Sequence, residues 1–325
     1  MRAYATNGAG TAYGSDVPFT TTAAGIPTLT TTAVTSITLT TAVSGGSISS
    51  NGGALITVSG ICWSTTTNPT IGVLNTTTDG TTTGSFSSTM TGLSAGATYY
   101  VRAYATNIAG TAYGNQQSFI TNHESGTLTD NDGHTYNTVK IGSDWWMAED
   151  LKTTKYSNGN LIGTTTLPTT DISAEATPSY QWPVDGNEGN VATYGRLYTW
   201  FTVTDGRNVC PTGWHVPADG EWETLKTNIG GDLVAGGKLK EAGTTHWQTP
   251  NTGATNETGF TALPGGYRNL NGAFVSLQIS SYYWSSTQNP TPAWGWGQHM
   301  YYNDGVLLRG GYEKKDGVAV RCLMN

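Results

Sequence analysis

The side chains best suited to molecular recognition lie near the C-terminus. Eight aromatic residues fall within the 31 residues from 282 to 312, and Gly, Ser, Asn and Gln fill most gaps between them. Rigid rings among small polar residues give a large contact area at a low cost in conformational entropy, as in antibody paratopes. We therefore predict a ligand-binding face in this segment.

Eleven residues make up the predicted ligand-binding face. They are Trp294, Trp296, Gln298, His299, Tyr301, Tyr302, Asn303, Asp304, Leu307, Arg309 and Tyr312. We expect the members between 294 and 304 to project largely from one exposed surface. The alternative is that these rings pack in the core, which is what we expect for Trp284.

Two acidic segments have sequences typical of turns, and one of them also begins like a calcium loop. Asp130-Asn-Asp132-Gly133 starts as an EF-hand loop does, but Ile141 stands where the bidentate glutamate belongs. Asn303-Asp304-Gly305 reads as a hairpin turn. The five histidines lack the His-x-x-x-His spacing of zinc sites. We predict turns at both segments, no metal site and no cofactor.

The sequence carries no pattern typical of a catalytic centre. Glu221 and Glu223 lie two residues apart on a predicted helix, so their carboxyls do not face one another as an acid and base pair would. Gly-x-Ser-x-Gly and phosphate-loop patterns do not occur in the sequence. We expect no catalytic residues and a protein that is not an enzyme.

Strands and two helices are predicted around the binding face. Thr135–Ile141 alternates as a strand does, and apolar spacing predicts a short helix within residues 194–201. A second helix starts at Asp219, a favourable N-cap residue, and stops at Gly230-Gly231.

An internal repeat predicts the domain layout. Residues 1–14 and 101–114 are identical at twelve of fourteen positions, and their offset of 100 residues is the length of one β-sandwich domain. We predict the last strands of a preceding repeat in 1–21, a complete sandwich in 22–122 and a separate domain in 123–325. The chain would then be part of a longer tandem array.

The strands of the repeat alternate with period two, and glycine-rich turns separate them. The predicted strands cover residues 37–40, 54–61 and 99–107, and the predicted turns are Gly45-Gly46, Asn51-Gly52-Gly53 and Asp79-Gly80.

Composition narrows the class of protein. Charged residues are 11% of the chain, against roughly 25% in ordinary globular domains. The abundance of Thr and Gly disfavours a helical bundle, while 11 Trp and 17 Tyr disfavour disorder. A net charge of −7 disfavours nucleic-acid binding. No apolar run approaches the ~20 residues of a membrane span, and no signal peptide follows Met1.

The repeat resembles the fibronectin type III and immunoglobulin-like repeats of bacterial surface proteins. The stretch that carries this resemblance runs from 93 to 107, and its tyrosine spacing is similar to a tyrosine corner. The resemblance implies a spacer that holds another domain away from a surface.

The remaining domain resembles the Fibrobacter succinogenes major paralogous domain. The ordered motifs that carry this resemblance are Cys210-Pro-Thr-Gly-Trp214, Gly259-Phe-Thr-Ala-Leu-Pro-Gly-Gly-Tyr-Arg268, Tyr283-Trp-Ser-Ser286 and Val318-Ala-Val-Arg-Cys322. The resemblance implies a C-type-lectin-like α+β fold of two short helices on small twisted sheets. The whole chain is then mainly β, an immunoglobulin-like sandwich followed by a C-type-lectin-like domain.

This resemblance also implies site properties. In such folds a disulfide commonly ties the last strand to the helical side, which would pair Cys210 with Cys322; two buried thiols are the alternative. Cys62, in an apolar strand, is expected to be a buried free thiol. Asn303-Asp304 is similar to the calcium ligands of sugar-binding lectins, but the companion Glu-Pro-Asn loop is missing.

The resemblance also implies a broad functional class for the protein. The same fold serves the variable proteins of diversity-generating retroelements, so we expect a protein or glycan ligand on another cell surface. We expect an extracellular, cell-surface or phage-virion location, without nucleic acid and without membrane insertion. The alternatives are a structural or adhesin assembly module and an enzyme on the fold of formylglycine-generating enzymes.

Overall fold

The computed structural model describes residues 1–72 and 75–325. It divides into two compact units, Met1–Asn122 and His123–Asn325. The structure is mainly β with antiparallel pairing, and among the described residues helices occur only in the second unit. The predicted order, a β-sandwich followed by an α+β domain, is confirmed.

The first unit has nine strands among its described residues. They are β1 (Tyr4–Asn7), β2 (Gly10–Tyr13), β3 (Thr28–Thr31), β4 (Ala42–Ser50), β5 (Val58–Ser64), β6 (Gly84–Met90), β7 (Thr98–Asn107), β8 (Gly110–Tyr113) and β9 (Gln117–Ile120).

These strands form a sandwich and a separate hairpin. One sheet has the order β3-β4-β6, and in the other β7 pairs with β5, β8 and β9. Their inner faces enclose a core that includes Ile61, Trp63 and Val101, all buried. The hydroxyl of Tyr99 accepts a hydrogen bond from the Ser94 amide at 3.0 Å, as in a tyrosine corner. β1 and β2 pair only with each other.

Several local predictions for this unit were wrong. Residues 37–40 form a bend, in which the Thr38 hydroxyl accepts the Thr41 amide at 2.9 Å. The strand expected at 54–61 begins only at Val58. Gly45 and Gly46 lie inside β4. A Cβ on Gly45 would collide with the Phe86 backbone, so these glycines serve close strand approach rather than a turn.

The other two predicted turns differ in outcome. Gly52 and Gly53 adopt φ of 70° and 83°, as the predicted turn requires. Gly80 instead forms an isolated bridge with Ser59 and lies in no tight turn. The buried thiol of Cys62 is free, and burial raises its pKa to about 11.

The second unit has twelve strands and four α-helices. Its strands are β10 (Ser125–Thr129), β11 (Thr135–Ile141), β12 (Asp144–Met147), β13 (Gln181–Pro183), β14 (Arg196–Tyr198), β15 (Trp214–His215), β16 (Tyr267–Arg268), β17 (Phe274–Val275), β18 (Ser280–Gln288), β19 (Trp294–Tyr301), β20 (Leu308–Glu313) and β21 (Leu323–Met324). Its helices are α1 (Val191–Tyr194), α2 (Trp200–Val203), α3 (Asp219–Asn228) and α4 (Asp232–Leu239).

Two sheets organise this unit. The larger has the order β10-β11-β12-β21-β15, so the last strand lies inside it. The smaller is the antiparallel sheet β18-β19-β20. Two buried clusters fill the interior, one around Trp222 and Phe260 and the other around Tyr198 and Trp284.

The prediction of a helix within residues 194–201 was wrong. This segment is a strand, β14, between two single-turn helices. Gly195 breaks the helix with φ of 66°, and a Cβ there would lie 2.8 Å from the Leu151 carbonyl oxygen. The apolar residues at helical spacing therefore belong to three elements.

The longer helix differs from prediction at its start. Its N-cap is Ala218, whose amide donates to the Glu221 carboxylate at 2.7 Å. The Asp219 carboxylate instead forms an ion pair with Arg309 at 2.6 Å. The predicted stop is present, because Gly230 and Gly231 adopt φ of 105° and 90°.

A disulfide joins Cys210 to Cys322, with their Cα atoms 5.9 Å apart. The two cysteines are 112 residues apart in the chain. By chain entropy, closing so long a loop stabilises the folded state by about 4–5 kcal/mol. The bond ties the segment before β15 to the residue before β21.

Candidate functional site

The sheet β18-β19-β20 has two unlike faces. Across β18 and β19, Tyr282 stands opposite His299 and Tyr283 opposite Gln298. Neighbouring residues of a strand point to opposite faces, so these two pairs lie on different sides of the sheet. One side packs against α3, and the other carries the buried ring of Trp284 together with a cleft that is open to solvent.

The helix side of the sheet is core. Tyr283, Gln298 and Met300 are each 0% exposed. The Tyr283 ring stacks on Trp222 of α3, with centroids 5.9 Å apart. This side offers packing surface and no access for a ligand.

The opposite side forms a cleft of about 330 Å³, which we name the tyrosine cleft. Its lining residues are Tyr267, Tyr282, Trp294, His299, Tyr301, Gly311, Tyr312, Glu313 and Asp316. Three strands of the sheet supply most of them, while Tyr267 comes from β16 and Asp316 follows β20. A space of this size is at the lower end of the range for small-ligand sites.

The aromatic rings of the tyrosine cleft meet at large angles. Tyr267 and Tyr282 have centroids 4.9 Å apart at 63°, and Tyr282 and Tyr312 lie 5.5 Å apart at 88°. His299 and Tyr301 are 5.2 Å apart at 78°. The rings thus wall the space on several sides instead of forming one flat platform.

His299 is held as a neutral ring. Burial lowers its pKa, and burial also raises the pKa of Tyr312 well above its usual range. The Tyr312 hydroxyl and the His299 Nδ1 lie 2.5 Å apart. The tyrosine therefore keeps its proton and donates a hydrogen bond to Nδ1, which leaves the hydrogen of the imidazole on Nε2.

Two carboxyls complete the lining. The Trp294 Nε1 donates to a Glu313 carboxylate oxygen at 2.9 Å. The Leu270 amide donates to Asp316 at 2.9 Å. The pKa of Asp316 is raised to about 7, chiefly by burial and also by the charge of Glu313, while the hydrogen bond from the Leu270 amide and the charge of Arg268 oppose this rise.

A buried lysine fixes the loop between β19 and β20. The Nζ of Lys240 is 0% exposed and donates to the carbonyl oxygens of Thr252, Tyr301 and Asp304 at 3.0, 2.9 and 2.7 Å. Burial lowers the pKa of this ammonium to about 8. The contact with Tyr301 anchors one wall residue of the tyrosine cleft.

The predicted binding residues separate into two groups, so the expectation of a single exposed surface was wrong. Trp294, His299, Tyr301 and Tyr312 line the tyrosine cleft. Strand alternation explains part of the separation, because it turns Trp296 and Gln298 to the helix side and His299 and Tyr301 to the cleft side. Trp294 has the same strand parity as Trp296 and lines the cleft from the first position of β19. The residues outside the cleft are Trp296, Gln298, Tyr302, Asn303, Asp304, Leu307 and Arg309.

The residues outside the cleft have other surroundings. Gln298 and Leu307 are fully buried, contrary to prediction. Tyr302 packs against the core around Trp222. Trp296 lies 3.6 Å below the Arg309 guanidinium in a cation–π contact. This pair meets Asp219 at the start of α3, on the helix side of the sheet.

Sequence reasoning missed five lining residues, which are Tyr267, Tyr282, Gly311, Glu313 and Asp316. In a strand, Tyr283 points to the side opposite to Tyr282 and Trp284. Because all three residues are aromatic, the sequence does not show which side is buried. Nothing in the spacing of Tyr267, fifteen residues earlier than Tyr282, indicates that the two rings meet.

The segment 130–133 forms a turn. The Asp130 carboxylate accepts the amides of Asp132 and His134 at 2.8 and 2.9 Å. Asp132 pairs with Lys155 at 2.8 Å. Within residues 1–72 and 75–325, no three His, Cys, Asp or Glu side chains are grouped as metal ligands, and no helix is long and apolar enough to cross a membrane.

Comparison with known proteins gives a family and a remote structural likeness. No curated protein matches the chain. The sensor domain of the anti-sigma factor RsgI4 of Pseudobacteroides cellulosolvens is similar over 30% of this chain and 96% of its own, at 16% identity and a TM-score of 0.24. Residues 139–324 match the model of the Fibrobacter succinogenes major domain. Since that match spans more than half of the chain, this protein belongs to the Fibrobacter succinogenes major domain family.

Proposed function

We propose that this chain is a non-catalytic binding protein that takes its ligand in the tyrosine cleft. The observation that carries this proposal is the cleft itself, about 330 Å³ walled by aromatic rings on the solvent side of a sheet whose other side is core. Aromatic anchors in a concave site supply most of the binding energy in recognition surfaces. The ligand is a protein or glycan on another cell surface, and the first unit is the spacer that presents the second.

The placement of the cleft also suits a diversified protein. Every lining residue except Tyr267 lies between 282 and 322, within the C-terminal block that would vary in a diversified member of this fold. Backbone pairing holds β18, β19 and β20 together, and the core around Trp222 packs on the helix side of the sheet. On the cleft side, Tyr282 and Trp284 belong to the second buried cluster. The more exposed lining residues, such as Trp294 and Tyr301, can therefore change while the sheet keeps its register, as a retroelement variable protein or a static relative of one would require.

An extracellular, cell-surface or virion location is part of this proposal. The buried bond between Cys210 and Cys322 supports it, because structural disulfides persist in oxidising compartments.

The test compares two tryptophans of the same strand. The purified full chain is applied to a glycan array and to intact bacterial cells, and bound protein is quantified for Trp294→Ala, Tyr301→Ala and Trp296→Ala. Trp294 and Tyr301 line the cleft, whereas Trp296 does not. We expect the first two variants to weaken binding by ~2 kcal/mol, about 30-fold, and the third to bind as the unmodified chain does.

Thermal unfolding by circular dichroism shows that each variant is folded. If Trp296→Ala abolishes binding while both cleft variants bind normally, the binding surface is the helix side of the sheet. Equal retention of binding by all three folded variants would also contradict the proposal.

A further inference from the structure

The charge of the tyrosine cleft is one-sided. Glu313 and Asp316 line it, and none of the described lining residues is a lysine or arginine. Neither carboxyl takes part in any of the ion pairs formed within the described chain. The guanidinium of Arg268 lies close enough to lower the pKa of Asp316, but it donates to backbone carbonyls, including that of Pro168 at 2.8 Å.

The remaining polar groups of the cleft are neutral. His299 accepts a hydrogen bond from the Tyr312 hydroxyl at Nδ1, and burial disfavours its charged form. Burial raises the pKa of Tyr301 to about 12, so this phenol also stays protonated. No positive group in the described lining competes for the two carboxyls.

Aromatic faces and carboxylates favour the same kind of ligand. The negative face of an aromatic ring attracts a cation within about 6 Å, and a carboxylate adds a direct electrostatic contact. Rings that meet at 63° and 88° present walls around a compact group.

We propose that the tyrosine cleft binds an organic ammonium group, with Tyr267, Tyr282, Tyr301 and Tyr312 as its walls and Glu313 as its main counter-charge. This inference rests on the proposed function, because it names the chemical class of ligand for the same site. The cleft volume of about 330 Å³ suits a small head group, either as a free molecule or as part of a lipid.

The decisive measurement uses two probes of equal shape and different charge. Choline carries a quaternary ammonium, and 3,3-dimethylbutan-1-ol is its neutral counterpart. Each is titrated into the full chain by calorimetry at matched ionic strength. We expect choline to bind at least about tenfold more tightly than the alcohol, since only choline gains the cation–π and carboxylate contacts.

Variants of the chain test whether choline binds in the tyrosine cleft. Glu313→Gln keeps the size of the side chain and removes its charge, so it should weaken choline binding about tenfold and leave the alcohol unaffected. Glu223→Gln, on the exposed surface of α3, is the matched control and should change neither titration. The indole N–H resonance of Trp294 should shift with choline in the unmodified chain.

Vesicles distinguish the source of the group. Co-sedimentation with phosphatidylcholine and not with phosphatidylglycerol would assign a lipid head group, whereas binding of free choline alone would assign a small molecule. Equal affinity for choline and the alcohol, or no choline binding in a folded chain, overturns the inference. Glycan binding that is lost in Trp294→Ala while choline fails to bind would leave the proposed function standing and refute only the ammonium assignment.

Discussion

The two copies of the repeated segment show what local sequence encodes and what it does not. The hairpins β1-β2 and β7-β8 have the same register, Tyr4 opposite Tyr13 and Tyr104 opposite Tyr113. A threonine hydroxyl pair bridges each hairpin, at 2.7 Å in the first and 2.8 Å in the second. The backbone conformation is therefore a property of the segment itself.

Burial separates the two copies. Tyr4 is 72% exposed, whereas Tyr104 is 4% exposed and donates to the Thr77 carbonyl at 2.6 Å. The second copy also pairs with β5 and β9, and the first has no such neighbours among the described residues. Nearly identical sequence thus gives the same strand register, while stability depends on the strands that surround the hairpin.

The largest expected difference between the two hairpins is in the rate of amide hydrogen exchange. Amides of β7 paired with β5 should exchange at least about two orders of magnitude more slowly than the matching amides of β1, because only the former require unfolding of a core. Exchange mass spectrometry or NMR on the full chain measures both copies at once. Comparable protection in the two hairpins would mean that β1-β2 has a partner of its own.

The next difference is in side-chain truncation. Tyr104→Ala should lower the free energy of unfolding of the first unit by about 3–4 kcal/mol, and Tyr4→Ala by no more than about 0.5 kcal/mol. Trp63 is the only tryptophan in residues 1–122, so its ¹⁹F resonance in fluorotryptophan-labelled full chain follows urea unfolding of this unit. Equal losses from the two substitutions would contradict the comparison.

The smallest expected difference between the two hairpins is in the effect of replacing the asparagine that ends the first strand of each. The side-chain amide of Asn107 donates to the carbonyls of Gly25 and Asn51 at 2.7 and 2.8 Å. Asn107→Ala removes both of these bonds, although the Asn51 carbonyl keeps the Ala54 amide at 3.4 Å, and it should cost about 2 kcal/mol, measured through the same Trp63 resonance. Asn7→Ala removes only the local contact with the Ala9 amide and should be nearly neutral. A large effect of Asn7→Ala would show that the first hairpin is docked.

Much of the fold follows from pattern alone. The repeat predicts a sandwich, and β11 has the predicted bounds Thr135–Ile141. The predictions fail where a glycine is required by a contact with a residue distant in sequence. The sequence around Gly46 predicts a turn, but Phe86 and Ala103 pack over this residue inside a strand. The sequence around Gly195 predicts a helix, but the backbone of Leu151 lies against this residue.

The binding site is less predictable for a related reason. Period-two alternation tells the two faces of a strand apart only when one face is polar, and Tyr282, Tyr283 and Trp284 are all aromatic. The segment was predictable, but the side of the sheet was not. Tyr267 and Asp316 reach the site through tertiary contacts that no short-range pattern reports.

The three carbonyls around Lys240 carry a consequence for the working conditions of the site. Proteins often bind calcium through backbone carbonyl oxygens that converge on the ion. Here three carbonyl oxygens converge instead on the ammonium group of Lys240, which is covalently part of the chain. An exchangeable ion leaves when chelators or dilute media remove it, but an ammonium on a lysine stem does not. The loop after Tyr301 thus takes its shape at folding, and that shape stays independent of the mineral content of the surroundings.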